Sequence, residues 1–156
     1  MKFLNLFTVI ILFGCGNTQK VYKEQNLEFT TLAQSALYGA GKEGITPGLY
    51  VIKDKQSWKK LIEQMNSVND ETSKFTTVNI DFDKDMVIAV FDQVLGSGGS
   101  KIQIEEIRET PEKVLVDVRY LRPAGNVFST TVMNQPYHIV VLPKIDKKVE
   151  MTKQEE

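Results

Sequence analysis

The second half of the chain is a succession of short apolar segments separated by turn signals, and this pattern leaves little choice of fold. MVIAVF is apolar on both faces and predicts a central strand covered on both sides, whereas KIQIEEI and KVLVDVRYL alternate and predict strands with one face in water. VFSTTVM, YHIVVLP and a short edge, KVEM, complete the set. The turn signals between them are GSGG, ETPEK, RPAGN, NQP and KIDKK. This half therefore predicts antiparallel β structure.

The first half adds further strands with a long loop between them. In LEFTTLAQSAL, Leu27, Phe29 and Thr31 alternate with polar residues, which predicts a half-buried strand. The glycine-rich segment YGAGKEGITPG predicts a loop, and LYVIKD predicts a short strand that ends at Asp54.

One segment, KQSWKKLIEQMN, predicts a helix. Asp54 can cap its first turn, and Trp58, Leu61, Ile62 and Met65 form one apolar stripe that predicts a face packed on the core. We therefore expect an α+β fold: a mainly antiparallel β sandwich or partial barrel of six or seven strands with one packed helix. Residues 27–151 are expected to form this single domain, and residues 152–156 a frayed tail.

The N-terminus has the pattern of an export signal. Lys2 precedes an apolar run from Phe3 to Phe13, which is too short to span a bilayer but suits the apolar region of a signal peptide. LFGC then resembles the lipobox of bacterial lipoproteins, which implies cleavage after Gly14 and acylation of Cys15. We expect residues 1–14 to be the signal peptide and residues 15–26 a lipidated tether. The predicted location is the bacterial cell envelope, anchored to a membrane and facing the periplasm or the cell exterior.

Composition excludes several classes of function. Cys15 is the only cysteine, so once acylated it leaves no thiol for a disulfide, a metal or nucleophilic attack. The net charge is −1, and loss of Lys2 with the signal makes it more negative, so there is no general field to attract nucleic acid. The predicted partners are the bilayer, through acylated Cys15, and another protein.

The glycine cluster in VLGSGGSKIQI predicts a hairpin turn and not a phosphate cradle. Gly96, Gly98 and Gly99 fit no nucleotide-binding spacing, and a strand follows them where a phosphate loop needs a helix N-terminus. Glycine would supply the positive φ that such a turn requires.

Acidic and histidine residues give no complete catalytic or metal set. Asp81, Asp83, Asp85 and Asp92 match four positions of a calcium loop, but Met86 occupies the position that requires glycine. His138 is the sole histidine and is expected to be an edge-facing or hydrogen-bonded packing residue in its strand. The sequence therefore predicts no catalytic residues, no metal site and no cofactor.

The order of DKQSWKKLIEQM, VNIDFDKDMVIAVF, the paired glycines, IQIEEI and QPYHIVVLPKIDKKVEM resembles the C-terminal domain of the PrcB family, from about Tyr50 to Met151. Members of the PrcB family are small lipoprotein subunits first named for a bacterial surface protease complex. In this family an aromatic residue follows the paired glycines, whereas this chain has Ser100. The resemblance places Gly98 and Gly99 on the paired glycines, and Tyr137 and His138 on the P-Y-H run. It implies that these four residues contact a partner.

Two classes of function remain open. The first is a noncatalytic, membrane-anchored accessory lipoprotein that binds and stabilises an exported protease or another envelope partner. The alternative is an inhibitor-like or small-ligand-binding β domain that uses glycine-rich loops on a rigid scaffold.

The lipobox generates a first prediction. We expect Cys15→Ser to leave an uncleaved precursor, because in the pathway that this signal resembles, lipid transfer to the thiol precedes cleavage. Incorporation of radiolabelled palmitate measures it, and equal labelling of the wild type and the variant would contradict the lipobox assignment.

Overall fold

The computed structural model describes residues 24–76, 79–123 and 131–155. The predicted signal peptide, Cys15 and most of the predicted tether lie outside these ranges. The elements are β1 (Gln25–Asn26), β2 (Thr30–Leu37), β3 (Gly48–Ile52), α1 (Lys55–Met65), a short 3₁₀ turn (Thr72–Lys74), β4 (Asp85–Phe91), β5 (Lys101–Glu109), β6 (Lys113–Leu121), β7 (Gln135–Pro143) and β8 (Lys148–Glu155).

The strands form two stacked sheets. One sheet has the order β1-β5-β6-β8 and the other the order β2-β7-β4-β3. Every neighbouring pair is antiparallel except β6 and β8, which run parallel. The predicted class is confirmed: a mainly antiparallel α+β sandwich with one α-helix and no closed barrel, although the described residues form eight strands and not six or seven.

The two central strands of the second sheet, β4 and β7, are buried on both faces, as the apolar MVIAVF segment predicts. Their alternate residues point into two separate apolar clusters. The cluster between the sheets contains Met86, Ile88, Val90, Ile102, Ile104, Ile107, Val114, Val116, Val118, Val140 and Leu142. The cluster on the helix side contains Leu32, Leu37, Ile45, Ile52, Leu61, Met65, Val87, Ala89, Phe91, Tyr137, Ile139 and Val141. The domain is therefore built as helix, sheet and sheet in three layers.

The helix α1 confirms the prediction made for its segment. Asp54 has extended backbone (φ −148°), and its carboxylate accepts from the Ser57 N–H at 2.8 Å, which satisfies a free donor of the first turn. Leu61 and Met65 are buried against the second sheet, whereas Trp58 is only partly buried. Among the described residues no helix has the length and apolarity needed to cross a membrane.

The N-terminal strand differs from the prediction in two ways. Gln25 and Asn26, assigned to the tether, form β1 and pair with β5, and Glu24 contacts the Arg108 guanidinium beside them. The chain leaves the first sheet after β1 and enters the second sheet only at Thr30, so the strand predicted to begin at Leu27 begins three residues later. An irregularity between Thr31 and Ala33 then shifts the register of β2, and the alternation that begins at Leu27 does not continue through it.

The C-terminal segments also differ. Residues 152–155, predicted to be frayed, continue β8, because their backbone pairs in parallel with β6. The Thr152 hydroxyl adds a bond to the Asp117 carboxylate. Within the predicted strand VFSTTVM, residues 127–130 lie outside the described ranges and residues 131–133 are in no strand. Only Asn134, which follows them, pairs, through an isolated bridge with Leu95.

The packing of α1 generates a stability prediction. We expect Met65→Ala to lower the free energy of unfolding by about 2 to 5 kcal/mol, because Met65 is fully buried and its loss leaves a cavity. Trp58→Ala should cost less than about 3 kcal/mol, because its ring is partly exposed. Urea unfolding followed by circular dichroism measures both, with Lys59→Ala on the exposed face as control. A larger loss for Trp58→Ala than for Met65→Ala would contradict this ranking.

Candidate functional site

The loop from β4 to β5 carries Gly98 and Gly99 at one end of the sandwich. The prediction of a hairpin turn here is wrong, because β4 and β5 belong to different sheets and the loop connects the two sheets. Gly99 has φ +89°, a backbone conformation that favours glycine, and a Cβ atom there would lie in tight contact, 3.0 Å from Cγ of Pro123. Gly98 is not among the described glycines with positive φ. The sequence expectation of positive φ therefore holds for Gly99 only.

Contacts with the residues before β7 hold this loop in place. Asn134 Nδ2 donates to the Ser97 carbonyl at 2.9 Å. The backbones of Asn134 and Leu95 exchange hydrogen bonds of 2.7 and 2.9 Å. The glycine loop is thus fixed to the start of β7, and its shape does not depend on its own residues alone.

Under the glycine loop, an open groove of about 230 Å³ lies between the edge strand β2 and the beginning of β5. We call it the β2–β5 groove. Tyr38, at its rim, is 55% exposed, and Lys101 is exposed beside it. The lining residues are Gln34, Ser35, Ala36, Tyr38, Gly99, Ser100, Lys101 and Ile102.

Two side chains of the second sheet reach across to the backbone of β5, and one of them, Gln34, lines this groove. Gln34 and His138 stand opposite each other on β2 and β7. Gln34 Nε2 donates to the Ile102 carbonyl at 3.0 Å, and His138 Nδ1 accepts from the Ile104 N–H at 2.8 Å. Within the described residues β1 pairs only with Arg108 and Glu109, so the first part of β5 has no strand on that side. Gln34 and His138 supply hydrogen bonds that a neighbouring strand would otherwise make.

A register shift in β5 makes this arrangement possible. The shift lies between Ile104 and Glu106, and beyond it the Ile107 carbonyl accepts from the Leu27 N–H at 2.8 Å. Backbone groups of alternate residues point to the same side of a strand, and one extra residue reverses that alternation. The backbone N–H of Ile104 and the backbone carbonyl of Ile107 therefore both point to the side of β5 that faces away from β6.

His138 is neutral in this environment. Burial lowers the pKa of its imidazole to about 4. Because Nδ1 accepts from a backbone N–H, the proton of the neutral ring is on Nε2, which lies 3.0 Å from Oγ1 of Thr31 and donates to it. Both ring nitrogens are thus occupied, and the imidazole joins β2, β5 and β7.

Tyr137 points to the other face of β7 and is fully buried. Its ring packs against Phe91 and Phe75, with centroids 5.8 and 6.3 Å away. Burial raises the pKa of its hydroxyl to about 12. His138 is only 3% exposed, so neither side chain presents a surface to a partner. The prediction of direct contact by Tyr137 and His138 is therefore corrected: both belong to the core, and His138 has the hydrogen-bonded packing role.

The comparison with protein families explains the sequence resemblance. Residues 86–143 match the model of the PrcB C-terminal family. This segment belongs to that family. Neither the comparison with curated proteins nor that with solved structures gave a match. The family takes its name from a subunit of a protease complex.

The PrcB segment covers β4 to β7 and is shorter than the resemblance from Tyr50 to Met151. It includes the Gly98 and Gly99 loop, Lys101 and His138, but not β2, β3 or α1. The PrcB segment therefore supplies one wall of the β2–β5 groove, and Gln34 and Tyr38 of the opposite wall come from outside it. Sequence reasoning missed these two residues, because the register of β2 on β7 is what brings them to the groove.

The acidic residues that resemble a calcium loop have structural partners. The Asp81 carboxylate accepts from the Asp83 N–H at 3.1 Å, and the Asp85 carboxylate accepts from the Asp81 N–H at 3.1 Å, so they stabilise the turn before β4. Asp92 lies at the other end of β4. In the ranges that the structure describes, no three histidine, cysteine or acidic side chains are grouped so as to hold a metal ion.

The environment of His138 generates a prediction about pH. Its pKa in the folded state, about 4, lies below the ordinary value of 6.5, so the unfolded chain binds a proton that the folded chain excludes. The contribution of neutral His138 to the free energy of unfolding is then fully present above pH 6.5. It is lost as the pH decreases towards 4, by about 3 kcal/mol in total. Carboxylates with lowered pKa, such as Glu150, lose their contribution below pH 4.5, outside most of this window.

Urea unfolding at a series of pH values measures this effect. His138→Gln keeps an acceptor for the Ile104 N–H and a donor for Thr31 but does not titrate, so its stability should vary little over the same window. The imidazole signals of this single histidine give the pKa directly by NMR. A midpoint near 6.5 would contradict the burial of His138.

Proposed function

We propose that this chain is a noncatalytic accessory subunit, anchored to a membrane of the cell envelope, that binds an exported protease or another envelope protein. The observation that carries the proposal is the PrcB match over β4 to β7, because that segment builds the glycine loop and one wall of the β2–β5 groove. The anchor is the acyl group on Cys15, and its support is the lipobox in the sequence.

The β2–β5 groove has the features of a protein-binding edge. In the described sheet β2 pairs only with β7. Its other edge is contacted at Leu32, whose carbonyl accepts from the Thr76 N–H at 2.9 Å, and the stretch beyond Leu32 that lines the groove is available to an extended segment of a partner. Tyr38 offers a large exposed aromatic surface at the rim, and tyrosine is one of the residue types enriched among those that dominate binding energy at interfaces. Lys101 adds a positive charge on the opposite side.

The groove is also rigid before a partner arrives. The strands that flank it are fixed by the Gln34 and His138 bonds to β5, and its roof by Gly99 and Asn134. Such order reduces the entropy lost on binding. At about 230 Å³ the open space is smaller than the roughly 300 to 1,000 Å³ of most small-molecule pockets, which favours a protein partner over a small ligand.

The proposal predicts that capture of the partner depends on the rim of the groove. The full chain, expressed in its own cell, is cross-linked mildly, purified by affinity, and its partners are identified by mass spectrometry. Tyr38→Ala should weaken binding by about 2 kcal/mol, or about thirtyfold in Kd, if the ring is an anchor. Lys101→Glu should weaken it through the reversed charge.

Matched controls lie elsewhere on the surface. Val68→Ala removes exposed apolar surface after α1, and Lys59→Glu reverses an exposed charge on the helix. Circular dichroism of each variant separates lost binding from lost folding. A partner that is captured equally by Tyr38→Ala, Lys101→Glu and the controls would place the interface outside the groove.

A further inference from the structure

A second cleft, of about 220 Å³, lies where the beginning of β3 faces the ends of β6 and β8. β3 and β8 are edge strands at the opposite side of the sandwich from the β2–β5 groove. Gly48 lines this cleft, and a Cβ atom added to it would meet no atom within 4 Å. The space in front of Gly48 is therefore not filled by the described residues.

Asp92 lines this cleft and is held in place by contacts of its side chain and its backbone. Its side chain is buried, and Oδ2 lies 2.6 Å from a terminal nitrogen of the Arg122 guanidinium in an ion pair. Its backbone N–H donates to the Pro136 carbonyl at 2.8 Å, and its carbonyl accepts from Gln135 Nε2 at 2.9 Å. The carboxylate is thus immobile and holds the guanidinium at the cleft.

Arg122 retains donors for a further anion. A guanidinium has five N–H donors in a planar fork, and the ion pair with Asp92 occupies one nitrogen. The guanidinium carbon also lies 5.4 Å from the centre of the Tyr120 ring, a cation–π distance that further restricts the side chain.

Lys153 brings a second cation to the same ring. Its ammonium nitrogen lies 5.7 Å from the centre of the Tyr120 ring. Within the described part of the chain Lys153 has no carboxylate partner, whereas Lys113 and Lys148, which face each other at the beginning of β6 and β8, are both paired with Glu150. Two cations therefore lie near one aromatic ring, and the described residues that line the cleft include a single carboxylate, so these lining residues together carry one net positive charge.

We propose that this cleft binds a carboxylate group of a peptide or protein, held between Arg122 and Lys153. One net positive charge matches a monoanion, and a planar carboxylate matches the fork of a guanidinium. A phosphate group would bring a second negative charge next to buried Asp92, and the described lining residues contain no third cation to balance it. The site is separate from the β2–β5 groove and extends the proposed function by a second contact.

The test is an NMR titration of the full chain, labelled with nitrogen-15 and kept in neutral detergent. Sodium acetate is the minimal probe. The tripeptide Ac-Ala-Ala-Ala with a free C-terminus, its C-terminal amide, and Ac-Ala-Glu-Ala amide distinguish a terminal carboxylate from an acidic side chain. We expect acetate and at least one carboxylate peptide to shift the Arg122 Nε–H signal and the amide signals of Gly48 and Lys153, while the uncharged amide shifts none.

Lys153→Gln and Arg122→Gln should each weaken acetate binding at least about tenfold, the loss expected for one charge-assisted hydrogen bond. Lys153 is exposed, so Lys153→Gln should keep the stability of the wild type even if Arg122→Gln, which leaves Asp92 unpaired, does not. Lys148→Gln, on the same strand, and Lys101→Gln, in the β2–β5 groove, remove the same charge and should leave the titration unchanged.

Two results would overturn the proposal. One is the absence of saturable shifts with acetate and with every carboxylate peptide, or shifts that persist in both Lys153→Gln and Arg122→Gln. The other is tighter binding of inorganic phosphate than of acetate, which would contradict the charge argument. Because Tyr38→Ala should not change the acetate titration, failure at this cleft is distinguishable from failure of the proposed function at the β2–β5 groove.

Discussion

The backbone pairing of β4 with β7 is the contact on which the rest of the domain depends. Both strands are buried on both faces, so their hydrogen bonds are shielded from water and their alternate side chains contribute to both apolar clusters. The helix layer packs on one face of this pair and the first sheet on the other. The clefts at the two sides of the sandwich are therefore held by one rigid centre, and the PrcB match covers both of its strands.

Much of the fold could be predicted because local patterns agree with it. MVIAVF has no polar residue to place in water, and the Asp54 cap with the Leu61 and Met65 stripe specifies a helix that needs no knowledge of its neighbours. The missed features are nonlocal. The pairing of residues 152–155 depends on a parallel neighbour in β6, and the break between β1 and β2 depends on where two sheets separate. A sequence pattern shows neither which strand lies beside residues 152–155 nor where the two sheets separate.

The candidate site was predictable only in part for the same reason. Gly99 was identified because a turn with positive φ has few alternatives to glycine. Tyr137 and His138 were assigned to a contact surface through the family resemblance. Adjacent residues of a strand face opposite sides, and the sequence pattern does not say that both sides are covered. No sequence pattern marked four further residues as functional: Gln34, Tyr38, Arg122 and Lys153. Each lies in a polar or mixed segment, and only the register of separate strands places it beside its neighbours.

The order of the strands also has a consequence for the time course of folding. Among the strands that the structure describes, β2 pairs only with β7, and the contact of Thr31 with His138 joins residues 107 positions apart. As the chain is synthesised, β2 emerges early and must wait for nearly the whole domain before it acquires a partner. An unpaired strand is a template for association with other chains. The exposed threonine, glutamine and serine side chains on β2 reduce that hazard, because they give the waiting strand a surface that water solvates well.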